Sequence, residues 1–258
     1  MKRSSGCLEL DVNKPDSMKL TYFFSLFSRL NTIVDEKYPK LKPQFSSYRG
    51  ALITKMQLLE LIKYRYVMSA RLVDECFEIA DKKLSTYSTS ADPSILKESS
   101  DFSERFRFSR RSIVLDIESF LVFSRVVLDY VPWILQPFLK GYITREEPKT
   151  TDFRQFCEWF RDNPDKVIDE KFKNFLLKFY YWFMDNLRNP RNDLVIHLKR
   201  NYTLDSFSSN GKVVRLMHLK NNSRDSSEEK FDLVSPIEAF KEVYNFIRDI
   251  EGYFVKIL

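Results

Sequence analysis

The chain has 258 residues, 43% hydrophobic and 15% aromatic, which describes a soluble globular protein with ample material for one large domain or two small ones. Only 5 Gly and 10 Pro stand against 23 Phe, and Leu, Lys, Glu and Arg abound, so long helices with few tight turns are expected. A net charge of +6 and a pI near 9.0 favour an anionic partner such as RNA, DNA or a nucleotide.

Residues 1–17 read as a polar lead-in. MKRSSGCLELDVNK has early positive charge but no apolar stretch after it, so it is not a secretory signal. Ser17 then caps a first amphipathic helix running to about Glu36, which the two prolines of YPKLKP stop. From Gly50 to about Leu84, Leu52, Met56, Leu59, Ile62, Tyr66, Leu72, Val73, Cys76, Phe77 and Ala80 recur mostly at threes and fours, the period of one long helix or a kinked pair. A Ser/Thr-rich stretch over 85–104 has little periodicity and is expected to be a mobile loop.

Arg105 to Leu135 returns to a helical pattern apolar on more than half its circumference, as for the central helix of a bundle, with Pro132 ending or kinking it. Its charges, Asp116, Glu118, Arg125 and Asp129, rule out a simple membrane span. Their spacing of seven and four points to helix salt bridges, which would fix register or brace a neighbouring motif, and not to a metal site. Arg105, Arg107, Arg110 and Arg111 interleave with Phe106 and Phe108; RNA contact is one reading, but phenylalanines packed inward with arginines in solvent is the commoner one.

TDFRQFCEWF makes a short helix capped by Thr151 or Asp152, and Asp165 to Leu187 another, which Pro190 breaks. Beyond it, NYTLDSF and KVVRLMHL alternate around Asn210-Gly211, predicting a small β-hairpin over 201–219. Ser235-Pro236 opens a last helix with Ile237, Phe240, Val243, Tyr244, Ile247, Ile250 and Phe254 inward. His218 lies within the hairpin and reads as a surface histidine. The three cysteines, Cys7, Cys76 and Cys157, form no CxxC pair, which fits a reducing, cytoplasmic setting without disulfide or zinc. No Gly-rich phosphate loop, Ser-His-Asp order or cofactor fingerprint is present, so neither metal nor cofactor is expected.

The stretch NPRNDLVIHLKR, Asn189 to Arg200, gathers one of only 2 histidines into a basic cluster. Its core, Arg191-Asn192 followed by four residues and His197, resembles the signature of HEPN domains, helical proteins that include many metal-independent endoribonucleases. The layout of long helices before the motif and one after it is similar, and LDIESFLVFSRVVLDYV looks like the central helix of some bacterial and archaeal HEPN-like families. The resemblance covers Gly50 to the C-terminus. It implies an all-α helical bundle of HEPN type, a single domain over 18–258, with the hairpin inserted before the last helix.

It further implies cleavage of RNA by attack of the ribose 2′-hydroxyl on the adjacent phosphate, in a defence or toxin-antitoxin setting. His197 would move the proton, Arg191 would stabilise charge at phosphorus, and Asn192 would orient the hydroxyl or brace the histidine. Arg188, Lys199 and Arg200 flank the motif as candidates to hold the RNA backbone. A homodimer and a nucleotidyltransferase antitoxin are the implied partners; a non-catalytic HEPN-like module that binds RNA, nucleotide or protein is the alternative. Several toxins of this group carry a tyrosine two residues after the histidine, where this chain has Lys199, so regulation through that tyrosine is not implied. In a straight helix Arg191 and His197 stand about 240° apart at about 100° per residue, so convergence requires a bend at Pro190 or a second chain. The bland reading has Arg191 paired with Asp185 or Asp193 and His197 bonded near a helix end.

Overall fold

A computed structural model describes residues 8–9, 20–87, 94–141, 143, 152–196, 200–209, 212–221 and 235–256. Helix dominates them, and the protein is all-α in class; among the described residues strand pairing is limited to three segments and an isolated bridge between Ile143 and Val167. The helices are α1 (Ser28–Lys37), α2 (Lys42–Tyr87), α3 (Ser94–Leu135), α4 (Phe153–Asp162), α5 (Glu170–Phe183), the short α6 (Asn189–Arg191) and α7 (Pro236–Val255). The chain divides into two compact units, each built from separated segments: Met1–Met18, Ile62–Ser119 and Asn192–Pro236 in the first, and Lys19–Leu61, Phe120–Arg191 and Ile237–Leu258 in the second.

In the first unit, Arg65 and Ser69 of α2 both reach Asp116 of α3, at 2.9 and 3.3 Å. Asp116 is fully buried, and burial raises its carboxyl above the usual range against the opposing pull of Arg65 and Ser69. It therefore pairs across helices instead of along its own. The strands β1 (Leu8–Glu9), β2 (Arg200–Ser209) and β3 (Lys212–Asn221) lie in the order β1-β3-β2. β2 and β3 are antiparallel from Arg200↔Asn221 to Ser209↔Lys212, and β1 joins β3 at Leu8↔Met217 and Glu9↔Leu216. The Asn210-Gly211 pair itself lies outside the described residues.

The stretch read as a Ser/Thr-rich loop over 85–104 is helical to Tyr87 and again from Ser94. Each serine costs only a few tenths of a kcal/mol in a helix, and extending an existing helix is far cheaper than nucleating one. Local polarity was a poor guide there. The reading of Phe108 as a core residue is also corrected, since it is 70% exposed.

The second unit is organised by aromatic packing. Phe153, Phe156, Cys157 and Phe160 of α4, spaced by three, one and three, are all fully buried. Phe153 meets Phe179, Phe183 and Phe246 edge-on at ring-centre distances of 5.9, 5.4 and 5.5 Å, while Phe179 and Phe246 stack at 3.8 Å, joining α4, α5 and α7. Phe172 extends the seam to Phe160 and Phe254. Asp152 caps α4 by accepting from the Gln155 amide at 2.8 Å, and Asp169 caps α5 through the amides of Lys171 and Phe172. On α7, Ile237 faces outward and Phe246 and Ala239 are buried instead.

The first helix is not continuous. A 3₁₀ turn, Leu20–Ser25, precedes α1, and between them buried Phe27 adopts a left-handed conformation with φ 55°. A bulky residue rarely enters that region, and here long-range contacts hold it. Arg49 of α2 donates to the carbonyls of Leu26, at 2.8 Å, and Phe24. Glu251 of α7, 4% exposed, accepts the Leu30 amide at 3.0 Å and so caps α1 from a distant segment. α2 begins eight residues before Gly50 because Pro43 falls in its first turn, where a missing amide hydrogen is harmless. Pro132 does not stop α3, which continues to Leu135 before a 3₁₀ turn, Gln136–Gly141. No helix among the described residues is long and apolar enough to cross a membrane.

Candidate phosphate-binding site

The sequence expectation that Pro190 breaks the helix is not what happens. Helical backbone persists from Glu170 to Ile196 by widening twice, in π turns at Met184–Arg188 and Asn192–Ile196, with Asn189–Arg191 between them. A proline normally clashes with the carbonyl four residues before it, and a wider turn relieves that. The Asn189 amide accordingly donates to Met184, five residues back, and the Asn186 side chain donates to the Trp182 carbonyl at 2.9 Å. Wide turns of this kind recur at functional sites because they redirect side chains that a regular helix would hold apart. From Arg191 to Ile196 the motif is therefore not a regular α-helix.

Arg191, the last residue of α6, is only 8% exposed. Burial and the nearby guanidiniums of Arg125 and Arg188 lower its pKa, opposed by the carboxylate of Asp129. Arg125 of α3 bridges two carboxylates, with Nε 3.4 Å from Asp129 and Nη2 3.5 Å from Asp152. Asp129 also accepts the Phe153 amide at 2.9 Å. Burial raises the Asp129 carboxyl, a push that Asp152 reinforces and that the Phe153 amide and Arg125 oppose. Arg125 thus joins two carboxylates, of which Asp129 is biased toward its neutral form and also acts on Arg191. Burial and two neighbouring guanidiniums oppose the charge on Arg191 and the Asp129 carboxylate supports it, a setting whose chemistry suits an anionic group.

The cluster rests on the α4 start: Asp152 caps the helix while touching Arg125, and Phe153 ties its amide to Asp129 while its ring is locked in the aromatic core. Arg188 and Arg191, three apart, are close enough for their charges to act on one another. Asp129, distant in sequence, is a carboxylate that supports the charge of Arg191. Asn192 opens the second π turn and is half-buried. Arg200 begins β2 opposite Asn221. His197 and Lys199 lie outside the described residues.

Arg125, Asp129 and Asp152 were read from the sequence as salt-bridging and capping residues, and the Arg125–Asp129 pair at four residues was the one signal available. A second basic surface lies in the other unit, where Arg107, Arg110, Arg111 and Val114 line an open cavity of about 460 Å³. Among the described residues no group of three or more His, Cys, Asp or Glu could hold a metal ion. Comparison with family models, with curated proteins and with solved structures found no match.

Proposed function

We propose that this chain is a HEPN-like endoribonuclease that needs no metal and seats a phosphodiester against Arg191. One observation carries the reading: a buried arginine placed beside two more, Arg125 and Arg188, with Asp129 as counter-charge. Guanidiniums gathered in a partly buried setting supply the charge that a site for developing charge on phosphorus requires. In the proposed reaction the ribose 2′-oxygen attacks phosphorus and the 5′-oxygen leaves. A cyclic phosphate and a 5′-hydroxyl result. His197 takes or gives the proton, Arg191 holds the phosphoryl oxygens, and Asn192 orients the hydroxyl. Arg188, Lys199 and Arg200 bind the backbone through charge. The bundle of HEPN type, a cytoplasmic defence or toxin-antitoxin role, a homodimer and a nucleotidyltransferase antitoxin belong to the same proposal.

The depth of Arg191 favours a second reading, a non-catalytic module that holds RNA or a nucleotide at the cluster without cutting it. Cleavage of end-labelled mixed-sequence RNA in EDTA separates the two. The nuclease reading expects cyclic-phosphate products from the wild type and at least a 100-fold slower reaction from His197→Ala, with RNA affinity retained. Binding by both proteins with cleavage by neither selects the module, and salt-independent binding or none at all removes both readings.

A further inference from the structure

We infer that the outward face of α3 between Arg107 and Leu115 binds a single-stranded nucleic acid, with phosphates along the arginines and a base on Phe108. The face lies wholly in the first unit and serves this purpose whether or not the chain cleaves RNA at Arg191. Ser109, Ile113, Asp116 and Ile117 are buried and fix which side of this stretch meets the core. At about 100° per residue the opposite side carries Arg110, Val114, Arg107 and Arg111 within an arc of about 100°. These four residues line an open cavity of about 460 Å³. Leu115 and Phe108 run along the edge of the arc, about 40° and 60° beyond Arg111. They are 54% and 70% exposed, although residues of their kind are usually buried.

The charge of this face is not spent within the fold. Among the described residues no carboxylate pairs with Arg107, Arg110 or Arg111. Asp116 is buried and held by Arg65 and Ser69 on the inner side. Two other carboxylates border the lane: exposed Glu104, and half-buried Glu118, where burial raises the carboxyl above its usual range. Every cation from 103 to 115 is arginine, whose planar guanidinium both forks onto phosphate oxygens and stacks on rings. From Arg107 to Arg111 the helix rises about 6 Å, so the charges form a line and not a point. What selects the occupant is the apolar lane beside the charged one. A single strand presents phosphates along one side and open base faces along the other, and it matches both lanes at once. An acidic peptide would satisfy the arginines and leave the Phe108 ring in water. A duplex keeps its base faces stacked inside, and a flat lipid surface does not enter a recess.

The test is fluorescence anisotropy of the full chain with a labelled single-stranded RNA of mixed sequence, titrated at several salt concentrations. Arg107→Gln, Arg110→Gln and Arg111→Gln combined are expected to weaken binding at least 10-fold. They should also flatten the logarithmic salt dependence by about two, since each single-strand phosphate contact contributes roughly 0.7. Phe108→Ala is expected to weaken binding at least 5-fold with the salt dependence unchanged, as lost stacking requires. Arg105→Gln is the control: Arg105 is exposed and equally charged, but stands about 160° from Arg107 and does not line the cavity. Its replacement is expected to change affinity less than about 2-fold, the effect of a charge that touches no phosphate. All the replaced side chains are exposed, and circular dichroism verifies folding. The series is repeated on Arg191→Met, where the α3 changes are expected to keep their effect; a loss at α3 is thereby read apart from a loss at the Arg191 cluster. RNA affinity indifferent to the triple variant or to Phe108→Ala overturns the proposal, as does an Arg105→Gln effect equal to that of Arg107→Gln. Binding to phosphatidylserine vesicles that the α3 changes abolish, with RNA affinity intact, overturns it in favour of a membrane.

Discussion

Replacing Arg191 by Met, which keeps the length and removes the charge, asks whether the buried guanidinium serves the fold or a ligand. Two like charges, Arg125 and Arg188, act against it and one carboxylate, Asp129, for it. A pair of unit charges roughly 6 Å apart at an effective dielectric of about 20 interacts by about 3 kcal/mol. The two repulsions and desolvation therefore oppose the charged side chain, while Asp129 and its other polar contacts support it. Lost hydrogen bonds of Arg191 return part of this, at about 1 to 3 kcal/mol. The expected net effect on stability lies between neutral and about 2 kcal/mol stabilising, as when other buried charges give way to apolar groups. Thermal unfolding by circular dichroism should show a midpoint unchanged or raised by a few degrees. Fluorescence anisotropy with single-stranded RNA should show affinity reduced at least 10-fold. A midpoint lowered by about 10 °C or more would mean that Arg191 is a structural partner whose loss strands Asp129, and the anion-site argument would fail.

Two further tests address the neighbourhood. Burial raises the Asp129 carboxyl, so the folded state binds its proton more tightly than the unfolded chain, whose value is about 3.9. Its ionised form then opposes folding at neutral pH, and this opposition is relieved as pH falls through the raised folded value toward the unfolded one. Asp129→Asn, which keeps an acceptor for the Phe153 amide, is expected to lose ground to the wild type as pH falls from 7 toward 4, because the wild type alone takes up the favoured proton. A stability difference that does not change with pH over that range would refute the account of Asp129. Phe153→Ala removes the ring that joins α4, α5 and α7 and is expected to cost about 3 to 5 kcal/mol in urea unfolding; a loss under about 1 kcal/mol would refute the account of the aromatic core.

Amphipathic period and capping chemistry made much of the helical plan legible. Asp152 before FRQFCEWF and Ser235-Pro236 before the last helix are local signals, because a cap acts on amides two or three residues away. Arg188 and Arg191 could be suspected from the basic motif alone. The sequence by itself thus determined the helical class, several helix starts and the basic character of the motif. Only tertiary structure decided that Arg191 answers to Asp129 and Arg125 across about sixty residues of chain, that Glu251 caps α1, and that Arg49 and the core hold Phe27 left-handed. It also decided that interleaved segments make two units, and that helix passes Pro190 by widening. The physical reason is common to these cases: local propensities amount to tenths of a kcal/mol per residue, while burial, long-range charge and aromatic packing are worth several.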